Sequence, residues 1–452
     1  MPTFSKSRFL TIILSIIGVT ILRSQSIPIE IFKRDLQQEV QWNTLRSNQK
    51  IRVIQYDRLL YTKLKATQDE RVSMMIPTPD GDIVLNLEKN NFLAAGFNIK
   101  NDRKETVSYK PGLFYQGEID GQPGSFAAIS FFDDEVVAVI NTIGNKKYVV
   151  GQSNALRRES YLVYDAAQAT APSIDCMSES LPAYIEKSSH INLPKLEQRA
   201  ADGCVNVYFE LGNSVYNNKG GTIGAVNYIN GVFNVVSALY VREGINVKIS
   251  EIFVWTNAEP YNASASTALT DFGRAKQLNF NGNIAQLVRL KSAGSLSGIA
   301  WLSTLCSPYI ASVAAGPYSY AEVLPSYSNL PAYSWTSEVI THEIGHNLGS
   351  PHTHSCNWPG GPIDNCHAPE GTCSAGPTPI NGGTIMSYCH LTSIGINFNN
   401  GFGPQPKALI LNAINNGSCV IACNTVAPPA PICTPPIGLG ATYITVSGSS
   451  LN

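Results

Sequence analysis

One stretch of the chain places histidine and glutamate side chains at a spacing that suits metal chemistry. His342 and His346 stand four residues apart, so on a helix their imidazoles project from one face, where they can ligate one tetrahedral metal. Glu343 follows the first histidine, and its carboxylate could there deprotonate a water at the open position of the metal. Gly349 can end the helix in a left-handed conformation, and the turned chain would then bring back His352 as a third ligand. The pattern predicts a site for one catalytic Zn²⁺.

The helix that must present these ligands is predicted from its hydrophobic periodicity. It is expected to begin near Thr336, with Glu338 in the first turn, where the positive helix end favours an acidic side chain. Ile340, Ile344 and Leu348 recur every four residues, on the side opposite the two histidines. One face would therefore meet the core and the other the metal. A chance motif on an ordinary helix is the competing interpretation, and three of only seven histidines at the ligand positions argue against it.

The stretch from His342 to His352 resembles the zinc motif of the metzincin endopeptidases, and more closely that of their reprolysin or adamalysin branch. The resemblance implies an α/β (α+β) catalytic domain, in which a mixed twisted sheet supports the active-site helix, and it implies protein or peptide substrates. Adamalysins usually carry Asp after the third histidine, whereas this chain has Thr353. The chain therefore resembles the metzincins as a group more closely than it resembles that branch.

A second segment carries the same resemblance. Thr384–Tyr388 resembles the Met-turn of metzincins, which implies that Met386 forms an apolar floor beneath the three histidines. Tyr388 is similar to the tyrosine with which astacins and serralysins ligate zinc or stabilise the transition state. A tyrosine packed in the core is the alternative interpretation of Tyr388.

Alternating and apolar runs around these motifs predict an α/β order. The expected elements are a strand at Cys204–Leu211, a helix at Thr222–Arg242, a strand at Val247–Trp255, a short helix at Ala268–Gln277, a strand at Asn283–Leu290 and a closing helix at Lys407–Ile414. The run 298–302 resembles the metzincin edge strand, so backbone groups of Gly298 and Ala300 would bind an extended substrate. An interior strand is the alternative.

The residues before the protease-like part are rich in short β-prone runs, separated by Gly, Asp and Asn. Within them, five residues resemble the Y-x-G-x-x-x-G-x-x-x-S-x-x-x-x-S pattern of reprolysin-family propeptides: Tyr115, Gly117, Gly121, Ser125 and Ser130. The resemblance implies a β-rich prodomain that acts as inhibitor and folding aid, so the chain's own propeptide is an expected partner.

The extreme N-terminus predicts export. Lys6 and Arg8 precede an apolar run, Phe9–Leu22, which is too short for a comfortable membrane span and is followed by small polar residues. A cleaved signal peptide is expected, with a retained anchor as the alternative. The sequence thus predicts an extracellular protein without a stable membrane span.

Composition shifts divide the chain into expected units. These are a signal peptide (1–26), a propeptide domain with linker (27–199), the zinc protease domain (200–423), a Pro-rich linker (424–439) and the start of a truncated fibronectin type III-like module (440–452). A processing cut near Arg199 is expected, because basic residues in an exposed connector are accessible to proteases. An uncut linker is the alternative.

Charge and cysteine content indicate which partners and which cellular location to expect. A formal net charge of -1, without long basic runs, gives no reason to expect nucleic acid as a partner. Ten cysteines fit an exported, disulfide-stapled protein. Nothing in the sequence supports Ca²⁺ as a further cofactor.

Several cysteine pairings are expected. The family resemblance implies a bond between Cys306 and Cys419. Proximity in sequence suggests bonds of Cys356 with Cys366, Cys373 with Cys389, and Cys423 with Cys433. Cys176 would either bond to Cys204 or act as a cysteine switch, a thiolate at the fourth position of the zinc.

Two functions from different classes remain. The first is a secreted zinc endopeptidase that is made as a latent zymogen. The second is a non-catalytic adhesion or binding protein on a metzincin scaffold, which the intact Glu343 and three histidines argue against. A metal-dependent hydrolase of another substrate is a weaker possibility among enzymes.

Overall fold

A computed structural model describes residues 27–45, 50–105, 107–153, 156–157, 159–168, 174–182, 191–194, 201, 203–291, 296–325 and 333–423. The predicted signal peptide, the expected cut near Arg199, the Pro-rich linker and the segment 440–452 lie outside these residues. They stay predictions.

The first sheet is antiparallel throughout and contains nine strands, in the order β1-β2-β10-β9-β8-β7-β6-β4-β3. Its strands are β1 (Phe32–Arg34), β2 (Ile51–Tyr56), β3 (Arg71–Thr78), β4 (Gly81–Lys89), β6 (Leu113–Ile119), β7 (Phe126–Phe131), β8 (Val136–Asn141), β9 (Lys147–Gln152) and β10 (Ser160–Asp165). Helices α1 (Leu36–Leu45) and α2 (Arg58–Thr67) accompany it. The second helix begins where the Asp57 carboxylate accepts hydrogen bonds from two backbone N–H groups of the first turn.

The second sheet is mixed and contains seven strands, in the order β11-β15-β16-β14-β12-β13-β5. Its strands are β5 (Leu93–Asn101), β11 (Ile174–Cys176), β12 (Cys204–Leu211), β13 (Asn246–Val254), β14 (Ile284–Leu290), β15 (Leu296–Ala300) and β16 (Tyr318–Val323). The helices of this part are α3 (Asn213–Asn218), α4 (Thr222–Arg242), α5 (Ala265–Lys276), α6 (Tyr333–Asn347) and α7 (Pro404–Asn415). The predicted mixed α/β class is confirmed, and β12 and α4 have the predicted bounds.

Two strands from the segment predicted as propeptide belong to this second sheet. β5 pairs in parallel with β13 at one edge, and β11 pairs in parallel with β15 at the other. A salt bridge of 2.8 Å joins Lys100 on β5 to the buried carboxylate of Glu251 on β13. The two sheets therefore do not divide at the expected boundary in the chain, because residues from before it complete both edges of the second sheet.

Helix α4 packs between the two sheets and is buried along most of its length. Its Phe233 ring lies 5.4 Å from Phe92 and 5.5 Å from Phe209, which come from opposite sides of the predicted boundary. Within the described part of the chain, it is the one helix long and apolar enough to cross a bilayer. Of its apolar 18-residue stretch, 78% is buried inside the protein. Core packing explains the apolar composition of α4.

Asn234 on α4 is the polar link between the helix and the propeptide-like pattern. Its fully buried side-chain amide donates to the carbonyl oxygens of Tyr115 and Ile129, at 3.2 and 3.0 Å, and to the Ser130 hydroxyl at 3.0 Å. Elsewhere in the pattern, Gly117 is needed because a Cβ there would lie 2.0 Å from a backbone oxygen of the neighbouring strand. Residues of the propeptide-like pattern thus contact helix α4 through a backbone carbonyl, that of Tyr115, and a side-chain hydroxyl, that of Ser130.

Four disulfides lie in the described residues, and they correct three expected pairings. Cys306–Cys419 is present as the resemblance implied. The others join Cys204 with Cys423, Cys356 with Cys373, and Cys366 with Cys389. Two of the pairings expected from sequence proximity were wrong because the irregular segment after the site helix folds back on itself. The third was wrong because the end of the described chain pairs with β12, where the Cys204 N–H donates to the Ile421 carbonyl at 2.9 Å. Cys176 is free and buried, so the alternative bond to Cys204 is excluded.

Candidate metal centre

The site helix α6 begins at Tyr333, three residues before the expected start, so Glu338 lies in its second turn instead of its first. Ile340 and Ile344 are fully buried, as the apolar stripe predicted. The chain leaves the helix at Gly349, whose φ of 111° is a conformation that favours glycine. The Ser350 N–H then donates back to the Gly345 carbonyl at 3.1 Å, and this closure turns the chain toward the site.

Backbone carbonyls fix the first two histidine rings. The Nδ1 atom of His342 lies 2.8 Å from the carbonyl oxygen of Ile385, and Nδ1 of His346 lies 2.7 Å from that of Ser350. Because a carbonyl oxygen can only accept, each Nδ1 must carry the hydrogen and each Nε2 must carry a lone pair. Both rings are thereby held in the tautomer that ligates a metal through Nε2.

His352 completes the cluster from the turned chain. Its Nε2 lies 3.1 Å from Nε2 of His346, and its Nδ1 contacts a carboxylate oxygen of Glu370. All three predicted histidines are buried, at 6% exposure or less. The structure therefore brings together, on one side of α6, the three side chains that the spacing singled out.

The residues present fit a zinc ion. Donor atoms of the three histidines and of Cys176 all lie within 4.8 Å of one another, and nitrogen and sulfur donors are the set that zinc prefers. Nε2 of His342 is buried without a hydrogen-bond partner among the described residues. Burial lowers the pKa of His342 and His346 well below the usual value, and the neighbouring His352 lowers it further, so these rings are neutral and able to ligate.

Glu343 lies beside the histidine cluster with no exposure to solvent. Burial raises the pKa of this group well above its usual value, and the nearby Cys176 and Ser178 side chains only partly offset this effect. Gly298 makes room for it, because a Cβ at that position would lie 2.0 Å from Oε1 of Glu343. A carboxylate with this placement can receive a proton and release it again.

Strand β15 is not the free edge that the sequence analysis expected. Residues Ile174–Cys176 of β11 pair with it in parallel, with Cys176 opposite Gly298. A further backbone bond of 2.9 Å runs from the Met177 N–H to the carbonyl of Gly298, and the Ala300 N–H donates to the Ser178 hydroxyl at 2.8 Å. The backbone groups predicted to bind substrate are therefore engaged by the chain's own upstream segment.

The thiol of Cys176 points into the histidine cluster. Its Sγ lies 3.4 Å from Nε2 of His346 and 3.2 Å from the Ser178 hydroxyl. Burial raises the pKa of this thiol well above its usual value, and the carboxylates of Glu343 and Glu179 add to the effect. A cation at the histidines would oppose that effect, because a metal favours the thiolate form of a cysteine bound to it.

The Met-turn segment packs beneath the histidines. Met386 is fully buried, and a Cβ on Gly345 of α6 would lie 2.7 Å from its sulfur, so the side chain fits directly against the site helix. Tyr388 is also buried, with its ring 4.8 Å from that of His352. Its hydroxyl donates to the Cys176 carbonyl at 2.7 Å. The tyrosine thus contacts both the cluster and the strand that covers it.

Sequence reasoning missed two groups of the site, Glu370 and His354. Glu370 stands eighteen residues after His352, in an irregular disulfide-bonded loop, where no periodicity predicts which way a side chain faces. Nε2 of His354 lies 3.2 Å from the Glu370 carboxylate, and His354 is not part of the group that Cys176 forms with the other three histidines. Only the fold of the loop brings these groups to the site.

Comparison with known proteins gives one family match. The reprolysin-type sequence model of metallo-peptidase family M12 matches residues 202–397. Among solved structures, the chain is similar to metalloproteinase-II from Bacteroides fragilis, with 12% identity, a TM-score of 0.36, and coverage of 65% of this chain and 86% of that chain. That likeness is too weak to add to the family match. The matched residues include the whole histidine cluster, Glu343 and Met386, so this match supports a metzincin-like metallopeptidase in that part of the chain.

Proposed function

We propose that the protein is a secreted, zinc-dependent endopeptidase made as a latent zymogen, with residues 27–199 as its propeptide and 200–423 as its protease domain. The observation that carries the proposal is the cluster of three buried histidines, each with its Nδ1 engaged and its Nε2 turned toward the others, beside the buried carboxylate of Glu343. The four disulfides agree with an extracellular location.

The chemistry is peptide-bond hydrolysis. His342, His346 and His352 would hold zinc, which supplies Lewis-acid polarisation and lowers the pKa of a water molecule. Glu343 accepts the proton of the attacking water and passes it to the leaving amine, a role that its buried carboxylate beside the histidines suits. Backbone groups of Gly298 and Ala300 hold the substrate as an added strand.

Latency follows from the segment 174–178. It pairs with β15 where substrate would bind, and it directs the Cys176 thiol toward the histidines. A substrate cannot enter until this strand leaves. Its departure also frees the Tyr388 hydroxyl from the Cys176 carbonyl, so that this hydroxyl can stabilise the developing charge of the transition state.

Glu343→Ala in the processed, zinc-loaded protein tests the mechanism. We expect cleavage of casein or gelatin to fall by at least about 10²–10⁴-fold, the contribution of a general base. Glu243→Gln is the matched control, because that carboxylate pairs with Lys407 at 3.1 Å outside the histidine cluster and its loss should leave the rate unchanged. Wild-type rates for Glu343→Ala, or activity that withstands removal of the metal by a chelator, would refute the mechanism.

The non-catalytic adhesion protein is the alternative, and no described contact favours it over the peptidase. A processed wild-type chain that binds zinc with all three histidines intact and cleaves no protein substrate would support it.

A further inference from the structure

The third histidine of the cluster differs from the other two in what holds it. His342 and His346 are fixed on α6 and donate to backbone carbonyls. His352 stands on the irregular chain after Gly349, where no helix fixes the orientation of its ring. Its Nδ1 instead donates to the carboxylate of Glu370. The orientation of this ring therefore depends on a side chain, whereas the other two depend on the backbone.

The backbone of Glu370 is held independently of its side chain. The Glu370 N–H donates to the His354 carbonyl at 3.0 Å, and the Cys356 N–H donates to the Glu370 carbonyl at 3.0 Å. The Cys356–Cys373 disulfide closes the same loop. Changing the carboxylate should consequently leave the loop in place, so the role of the side chain can be tested separately from folding.

The charge of Glu370 also suits a partner of a metal-bound imidazole. Its carboxylate oxygen contacts Nδ1 of His352 and lies 3.2 Å from Nε2 of His354, so this side chain can accept the Nδ1 hydrogen. Such an acceptor fixes the tautomer of a ligating histidine and increases its basicity.

We propose that Glu370 is a positioning residue for the metal centre, which orients His352 through its Nδ1–H and thereby strengthens zinc binding. The inference rests on the proposed function, because it assigns His352 as a zinc ligand. His354 contacts the same carboxylate at 3.2 Å and stacks on His352 with ring centroids 5.0 Å apart, so it further restrains both side chains.

The same three side chains could in principle hold a metal of their own, because donor atoms of His352, His354 and Glu370 also lie within 4.8 Å of one another. One imidazole would then have to bridge two cations through both nitrogens. The direct hydrogen bond between Nδ1 of His352 and the Glu370 carboxylate favours the positioning role over a second metal site. The number of zinc ions bound per chain distinguishes these two alternatives.

The test compares zinc affinity among full-length variants, measured by competition with a chromophoric chelator. Glu370→Ala should weaken zinc binding about 10–100-fold, the usual effect of losing a partner of a ligating histidine. Glu370→Gln should fall between wild type and Glu370→Ala, because an amide oxygen still accepts the hydrogen bond without the charge. The visible spectrum of the Co²⁺-substituted Glu370→Ala protein should also change, which a purely structural effect on the loop would not produce.

Glu179→Gln is the matched control. Its carboxylate lies 3.9 Å from the same Nδ1, beyond hydrogen-bond range, and its side chain is 42% exposed. Its loss should change zinc affinity by less than about fivefold, as for an exposed charge pair. Without metal, the Glu370 and Glu179 variants should have the same melting temperature as the wild type.

Three results would overturn the inference: Glu370→Ala with wild-type zinc affinity, equal losses for the two positions, or two zinc ions per wild-type chain. Wild-type protein that binds no zinc would overturn the proposed function together with this inference, whereas tight zinc binding retained by Glu370→Ala overturns the inference alone.

Discussion

Gly298→Ala tests the tight contact between β15 and the carboxylate that we assign as general base. A Cβ at this position would lie 2.0 Å from Oε1 of Glu343 and 2.7 Å from its Cδ, far inside van der Waals contact. In the processed enzyme, Gly298 stays paired with Ala321 on β16 after β11 has left, and it still faces Glu343 on α6. Either the carboxylate or the strand must move.

The distance by which Glu343 or the strand must move determines the expected loss of activity. Ordinary contact begins at about 3.4 Å, so the alanine and the carboxylate must separate by about 1.4 Å more than the native spacing allows. A misplacement of about 1 Å at a reacting group costs about 10²-fold in rate. We therefore expect kcat/KM of the processed enzyme to fall about 100-fold or more, and overpacking to destabilise the fold by about 1–3 kcal/mol.

The assay is hydrolysis of a quenched fluorescent peptide by the processed, zinc-loaded protein, with zinc affinity and denaturant unfolding measured in parallel. Zinc affinity should stay near that of the wild type, since the substitution does not touch the histidine cluster. Gly231→Ala is the matched control, because its Cβ would have no atom nearer than 3.4 Å and alanine is the better helix former. Gly298→Ala with the activity of the control would refute the assigned position of Glu343.

Two further predictions concern the segment that we assign as propeptide. Asn234→Leu leaves the buried carbonyl and hydroxyl acceptors of the first sheet without their donor, so the full-length chain should lose about 1–3 kcal/mol of unfolding free energy, measured by urea denaturation. An unchanged midpoint would contradict the bridging role. Cys176→Ser replaces the thiolate that we propose as a zinc ligand by a weaker donor, so the uncut, zinc-loaded chain should hydrolyse a short peptide faster than the uncut wild type does. Equal rates would show that strand β11 alone maintains latency.

Local patterns determined much of the site. The spacing of His342 and His346 and the apolar stripe on α6 follow from the helical period of 3.6 residues, and the left-handed turn at Gly349 follows from the conformational freedom of glycine. Since these effects act within about one turn of chain, they can be predicted from the sequence alone. The start of the helix was predicted three residues too late, because helix ends fray and their boundaries are the least well defined part of the element.

Long-range contacts decided the rest. Nothing local indicates that β5 and β11 join the second sheet, since strand partners are chosen by burial and register across the whole fold. The same reason explains why Cys204 bonds to Cys423 and not to a nearer cysteine.

The sequence by itself determined the chemistry at this centre: three histidines and a glutamate at a spacing that suits a hydrolytic zinc site. Tertiary structure alone decided what surrounds them. It brings Glu370 to His352, fits Gly298 against Glu343 and closes the cluster with Cys176. Ligand spacing is a property of a single helix, whereas the partners of the ligands come from distant segments that meet only when the sheets and the disulfide-bonded loop have formed.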